Sequence, residues 1–174
     1  MLTEDGKHLY VSYDEYHNQI EKLAIKIHQS GWDFETILCL ARGGMRPGDA
    51  LSRIFKKPLA IISTSSYRAE GGTLRGQLDI AKYITTPQAN IAGRLLLVDD
   101  LADSGYTMKA VIQMLRENYP AITEMRSAVL WTKASSIFEA DYSVEHLNTN
   151  PWIHQPFERY DQLSISDLLI KWKV

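Results

Sequence analysis

A single cysteine stands among the 174 residues of this chain, so no disulfide can form within it. A disulfide framework is thereby excluded, and one thiol fits a chain kept in a reducing compartment. Cys39 lies inside the apolar run TILCLA and reads as a small core residue, not as a nucleophile. An excess of positive charge is also missing. Nineteen Lys and Arg stand against 21 Asp and Glu, a formal net charge of -2, and no global basic field recommends a nucleic-acid partner. No apolar run approaches the roughly 18–20 residues that cross a bilayer. The opening MLTEDGKHLYVSYDE has no apolar centre of signal-peptide length. These absences predict a cytoplasmic chain with no membrane span and no nucleic-acid partner. Repeats, low-complexity tracts and dividing linkers are absent too. Residues 1–174, 45% hydrophobic, therefore read as one domain with a sizeable core.

What is present is an alternation of short apolar runs with amphipathic stretches. Ser12 and Glu15 have the spacing of a capping box, and Tyr16, Ile20, Leu23 and Ile27 follow at helical intervals until Gly31. Strands are expected at Thr36–Ala41, Pro58–Thr64, Leu78–Ile84, Leu95–Val98, Arg126–Trp131 and Tyr142–Glu145. Helices are expected over residues 47–56, opened by Pro47, and through Met108, Val111, Ile112 and Leu115. Ser135–Glu139 reads as helical or irregular, NTNPWIHQPFE as a loop, and Ser164–Trp172 as a closing helix. Strands alternating with helices predict an α/β fold, a three-layer domain with a mostly parallel central sheet. In such sheets ligands bind beyond the carboxyl ends of the strands, where ARGG and DDLADSGYT both fall.

The second of these turns, within RLLLVDDLADSGYTM, gathers Asp99, Asp100 and Asp103 in five positions. Their mutual repulsion gives folding little reason to collect them. Carboxylates at a strand end can accept from sugar hydroxyls or hold magnesium, which takes one or two carboxylates plus phosphate oxygens. Ser104, Gly105, Tyr106 and Thr107 then turn into a helix whose first N–H groups and dipole suit an anion. Acids for hydroxyls beside amides for a phosphate describe a grip on a ribose 5-phosphate. The competing explanation is an Asp-rich helix cap. A response-regulator receiver also pairs aspartates after a strand, but near its N-terminus and without a phosphate turn.

VDDLADSGYTM resembles the phosphoribosyl pyrophosphate motif of the type I phosphoribosyltransferases. LARGGMRPG is similar to the pyrophosphate loop, and WIHQPFE to the purine-side segment, of their xanthine-guanine (6-oxopurine) branch. The match runs roughly from Thr36 to Glu158 and implies a phosphoribosyltransferase-like fold carrying a small hood. The hood would lie at about residues 65–84 and the purine-side segment at about 133–160. The implied substrates are phosphoribosyl pyrophosphate and a purine base, with Mg2+ as cofactor, in a homodimer or homotetramer.

By that resemblance Asp99 and Asp100 bind the ribose hydroxyls, with Asp100 the metal contact, and Asp103 is the general base near purine N7. Ser104, Gly105, Tyr106 and Thr107 would hold the 5-phosphate. Arg42 and Gly43 would meet pyrophosphate in a loop that places a cis non-proline bond at Ala41–Arg42. Lys133 would donate to the purine 6-oxygen, which favours guanine, xanthine or hypoxanthine over adenine. Trp152 would stack on the base, with main-chain groups of Trp152 and Ile153 reading its edge and Glu158 near position 2 or the metal. His154 replaces an acidic residue and is expected at a loop surface. Tyr67, Arg68 and Arg75 in the hood are candidates to reach pyrophosphate, and Gly71, Gly72 and Gly76 suit a lid. The alternatives are a regulator that senses the sugar-phosphate and binds nucleic acid, and a relative acting on another base.

Overall fold

The central strands owe their order to unbroken apolar runs, which bury on both faces only beneath helices. The computed structural model describes residues 1–66 and 78–173. Its elements are β1 (His8–Tyr10), α1 (Tyr13–Gln29), β2 (Thr36–Ala41), α2 (Met45–Phe55), β3 (Leu59–Ser66), β4 (Leu78–Ile80), β5 (Gly93–Val98) and β6 (Leu101–Ala102). They continue with α3 (Tyr106–Asn118), β7 (Ile122–Lys133), β8 (Tyr142–Leu147), β9 (Trp152–His154), a 3-10 turn at Glu158–Asp161 and α4 (Ile165–Trp172). The main sheet runs β4-β3-β2-β5-β7-β6, with β8 also paired to β7, and β4 alone is antiparallel to its neighbour.

Alternate residues of each central strand face opposite helical layers. Ile37, Cys39, Leu96 and Val98 pack under α1 and α2, with Tyr16, Leu23 and Leu51. Leu38, Leu40, Leu95 and Leu97 pack under α3, with Met108, Val111 and Leu115. The expected three-layer α/β domain with a mostly parallel sheet is the fold observed. Cys39 is buried at 0% exposure, and burial pushes its thiol up to about 11, so it is inert core. No helix among the described residues is long and apolar enough to cross a membrane.

The expected capping box forms, and a second one is present. Ser12 and Glu15 exchange bonds at the start of α1, and Ser164 and Asp167 do so at the start of α4. Several boundaries differ from expectation, each for a local reason. α2 begins two residues before Pro47, which a first turn tolerates because its N–H would be unpaired there. The strand expected at Leu78–Ile84 stops at Ile80, and beyond it only a bridge between Ile61 and Thr85 remains. β7 reaches from Ile122 to Lys133 because its half-exposed first half pairs with β5 despite few apolar residues. NTNPWIHQPFE is not all loop. Residues 152–154 form β9, whose partner β1 lies at the other end of the chain, where no short-range signal marks it. Of the expected hood, residues 67–77, with Tyr67, Arg68, Gly71, Gly72, Arg75 and Gly76, lie outside the described residues.

Candidate active site

β2 and β5 are adjacent parallel strands, so their carboxyl ends bring the ARGG and DDLADSGYT turns side by side. The peptide between Ala41 and Arg42 is cis, as the resemblance implied. A side chain at Gly43 would press on the carboxylates of Asp99, at 2.9 Å, and of Asp100. One at Gly44 would lie 2.9 Å from the Leu40 carbonyl and 3.0 Å from Asp99 Cα. The missing side chains let one turn close on the other. Arg42 itself is exposed and reaches Asp161 at 3.8 Å, an ion pair too solvated to hold it firmly.

Asp99 is pressed from two sides. Burial first, and the neighbouring charge of Asp100 second, push its carboxyl well above the usual range. Its Oδ1 accepts the Asp100 N–H at 2.9 Å. An acid so pressed, with a second carboxylate beside it, calls for a cation. Among the described residues no group of three or more His, Cys, Asp or Glu side chains could hold a metal ion. A magnesium ion drawing most of its oxygens from phosphates and water needs only one or two of them, so the acid pair fits that donor set.

Asp103 does not cap α3. The cap is Gly105 at φ +79, with no side-chain bond, while Asp103 pairs with Lys133 at 3.2 Å. Lys133 is 6% exposed at the end of β7. A lysine that deep is held by a partner, and here the pair spans the turn and the base-side strand. The turn is braced from beneath. Ile137 donates to the Ser104 carbonyl at 3.0 Å, and a side chain at Gly105 would meet Phe138 N at 2.8 Å. Ser104 is exposed and Thr107 partly so, while Tyr106 is 47% exposed. The first N–H groups of α3 thus emerge beside hydroxyls at an open surface.

Trp152, in β9, is 50% exposed, so it is no core tryptophan. Its N–H goes to the Lys7 carbonyl at 2.8 Å, and the His154 carbonyl accepts from Val11 at 3.0 Å. In a parallel ladder those bonds turn the peptide groups of Trp152 and His154 toward β1 and those of Ile153 away. The main-chain groups of Trp152 are thus engaged with β1, and those of Ile153 face the other way. Glu158 shares a hydrogen bond with the Trp152 side chain, and burial raises its carboxyl above the ordinary value. His154 is not a loose surface group. Its Nε2 lies 2.9 Å from His8 Nδ1, and its ring stacks on Tyr10 at 4.3 Å.

The family model described as "Phosphoribosyl transferase domain" matches residues 12–162. The chain belongs to that family. Xanthine-guanine phosphoribosyltransferase of Roseobacter denitrificans is 27% identical to it over 159 residues, 87% of this chain and 86% of that protein. The protein of the same name in a Ruegeria species is 27% identical over 171 residues, 91% and 93% of the two. Among solved structures, purine phosphoribosyltransferase from Pyrococcus horikoshii superposes with a TM-score of 0.71 at 27% identity, covering 87% of this chain and 93% of that one. Xanthine-guanine-hypoxanthine phosphoribosyltransferase from Helicobacter pylori gives 0.70 at 26% identity, covering 88% and 97%.

In this phosphoribosyltransferase the sequence reading missed three contributors. Gln155 reaches Asp100 at 2.5 Å. Arg46 lies over the Phe157 ring, 3.4 Å from its centre, and Tyr16 meets the same ring edge-on at 5.3 Å. Arg46, Gln155 and Phe157 stand inside the very motifs that were recognised, but their partners lie on other elements. No spacing along the chain could have paired them.

Proposed function

We propose that this enzyme transfers the 5-phosphoribosyl group of phosphoribosyl pyrophosphate to N9 of a 6-oxopurine, releasing pyrophosphate. The observation that carries the reading is the Lys133–Asp103 pair, which ties a buried donor at the end of β7 to a carboxylate of the acidic turn. The α3 N-terminus with Ser104, Gly105, Tyr106 and Thr107 grips the 5-phosphate. Asp99 and Asp100 accept the ribose hydroxyls, and their charge favours the cation that builds on the ring as its bond to pyrophosphate loosens. Asp100 is the metal contact, and bound Mg2+ would neutralise charge on the leaving pyrophosphate.

Arg42 leaves its solvated contact with Asp161 for the leaving group, and Gly43 lets the backbone approach it. Lys133 donates to the 6-oxygen, Trp152 covers the ring and Ile153 offers its main chain. Asp103 takes the N7 proton as N9 becomes nucleophilic. Glu158, bonded to Trp152, orients the stacking ring and stands near the edge of the base. A role for Tyr67 at pyrophosphate belongs to the same proposal. A homodimer or homotetramer would cover α4, which leaves Ile165, Ile170 and Trp172 exposed.

Nucleotide formation from the sugar pyrophosphate, Mg2+ and each of guanine, xanthine, hypoxanthine and adenine tests this directly. The three oxopurines should turn over and adenine should not. Turnover of uracil alone would favour the relative acting on another base. Binding of RNA or DNA without any turnover would favour the regulator.

A further inference from the structure

One group beside the acidic turn has no role in the chemistry above. Gln155 Nε2 donates to Asp100 Oδ2 at 2.5 Å, while its own carbonyl oxygen is buried without a partner among the described residues. A glutamine that served only to anchor its loop would use both ends of its amide there. Turning the amide over would set its oxygen against the carboxylate, so Asp100 dictates its orientation. The other Asp100 oxygen, Oδ1, is turned to Gly43 and the pyrophosphate loop. The carboxylate is therefore fixed from both ends of the residue, by Asp99 at its N–H and by Gln155 at Oδ2.

The segment that carries Gln155 is itself held fast. Phe157 lies between the Arg46 guanidinium on its face and the Tyr16 ring on its edge. Tyr16 is 1% exposed, its hydroxyl has no partner among the described residues, and burial first and the Asp100 charge second oppose its ionisation. Three residues before Gln155, in the same short segment, stands Trp152.

We propose that Gln155 is a positioning residue that aims Asp100 at the ribose diol and so ties the sugar site to the base-side segment. The proposal requires the phosphoribosyl-transfer reading of the site. Gln155 touches no reacting atom. Its effect reaches the substrate through Asp100 alone, so with no metal ion present it should register only on ligands that carry the diol.

Calorimetric titration of the full chain with guanosine 5′-monophosphate and with its 2′,3′-dideoxy analogue, without Mg2+ so that the metal contact of Asp100 does not enter, separates the outcomes. The unaltered protein should prefer the nucleotide with the diol. Gln155→Leu should weaken that nucleotide about tenfold, the worth of a hydrogen bond to a charged group, and leave the dideoxy analogue unchanged. In steady state, KM for the sugar pyrophosphate should rise while KM for the base holds. Gln155→Met fills the same space without a donor and should give the same ratio if the leucine variant fails to fold. Equal weakening of both nucleotides, or of neither, overturns the proposal and leaves phosphoribosyl transfer standing. An unaltered protein that binds neither nucleotide overturns both.

Discussion

The two halves of the proposed site, one for the sugar-phosphate and one for the base, are built differently. The sugar-phosphate half is one continuous piece, β5, the acidic turn and the start of α3, with the ARGG turn beside it on the neighbouring strand. Every strand it uses is buried in the middle of the sheet. The base half is assembled from distant pieces. Lys133 comes from the end of β7, Trp152 from β9, and β9 is completed by β1 near the N-terminus. A rigid, local half suits a ligand part that never varies, and an assembled half lets the base contacts change without disturbing the phosphate grip.

One contact that joins the halves is the ion pair of Asp103 with Lys133, and the largest expected effect falls there. Asp103→Asn should lower turnover about 100-fold or more, the range of a general base, while binding of the sugar-phosphate changes little. Unchanged turnover would remove Asp103 from the chemistry and leave the pair as a mere strut. Lys133→Met should raise KM for an oxopurine about 10-fold to 100-fold and leave nucleotide-free pyrophosphate binding intact. A matching loss on the pyrophosphate side would erase the division between the halves.

Gly105→Ala probes the local half by itself. The residue sits at φ +79 and a side chain would lie 2.8 Å from Phe138 N, so the substitution should cost about 1–3 kcal/mol and lower the melting temperature. Phosphate binding should weaken while the base contacts persist. A variant as stable as the parent would mean that the turn is not braced by residues 136–138.

The smallest effect is expected at the far edge of the base half. Burial first and the His8 charge second hold the His154 imidazole below its ordinary value. Its folded value is depressed, so the unfolded chain takes the proton first. Its contribution is present above about pH 6.5 and is lost as pH falls through the lower folded value. Melting curves at falling pH should show this slope, and His8→Ala should flatten it. An identical slope in the variant would detach the two histidines from each other.

How much was legible beforehand follows the same division. β2, β5, α1 and α3 carry unbroken apolar runs or helical intervals, and the acidic turn lies in ten consecutive residues, so local pattern sufficed. NTNPWIHQPFE was misjudged because its strand pairs with β1 near the other end of the chain, and Leu78–Ile84 because its ladder to β3 ends at Ile80 whatever the alternation beyond. The role of Asp103 as an ion-pair partner, not a helix cap, depended on Lys133, which is 30 positions away.

The sequence by itself determined the layered sheet, the two turns at the strand ends and the family, because each is written in contiguous residues whose chemistry acts on near neighbours. Only the tertiary structure decided which groups face one another. It closed Gly43 onto the paired acids, drew Lys133 to Asp103, spent the Trp152 amide on β1 and set Gln155 against Asp100. Such meetings are made by the packing of distant strands and helices, and electrostatics and hydrogen bonds act through space at a few ångströms whatever the separation along the chain.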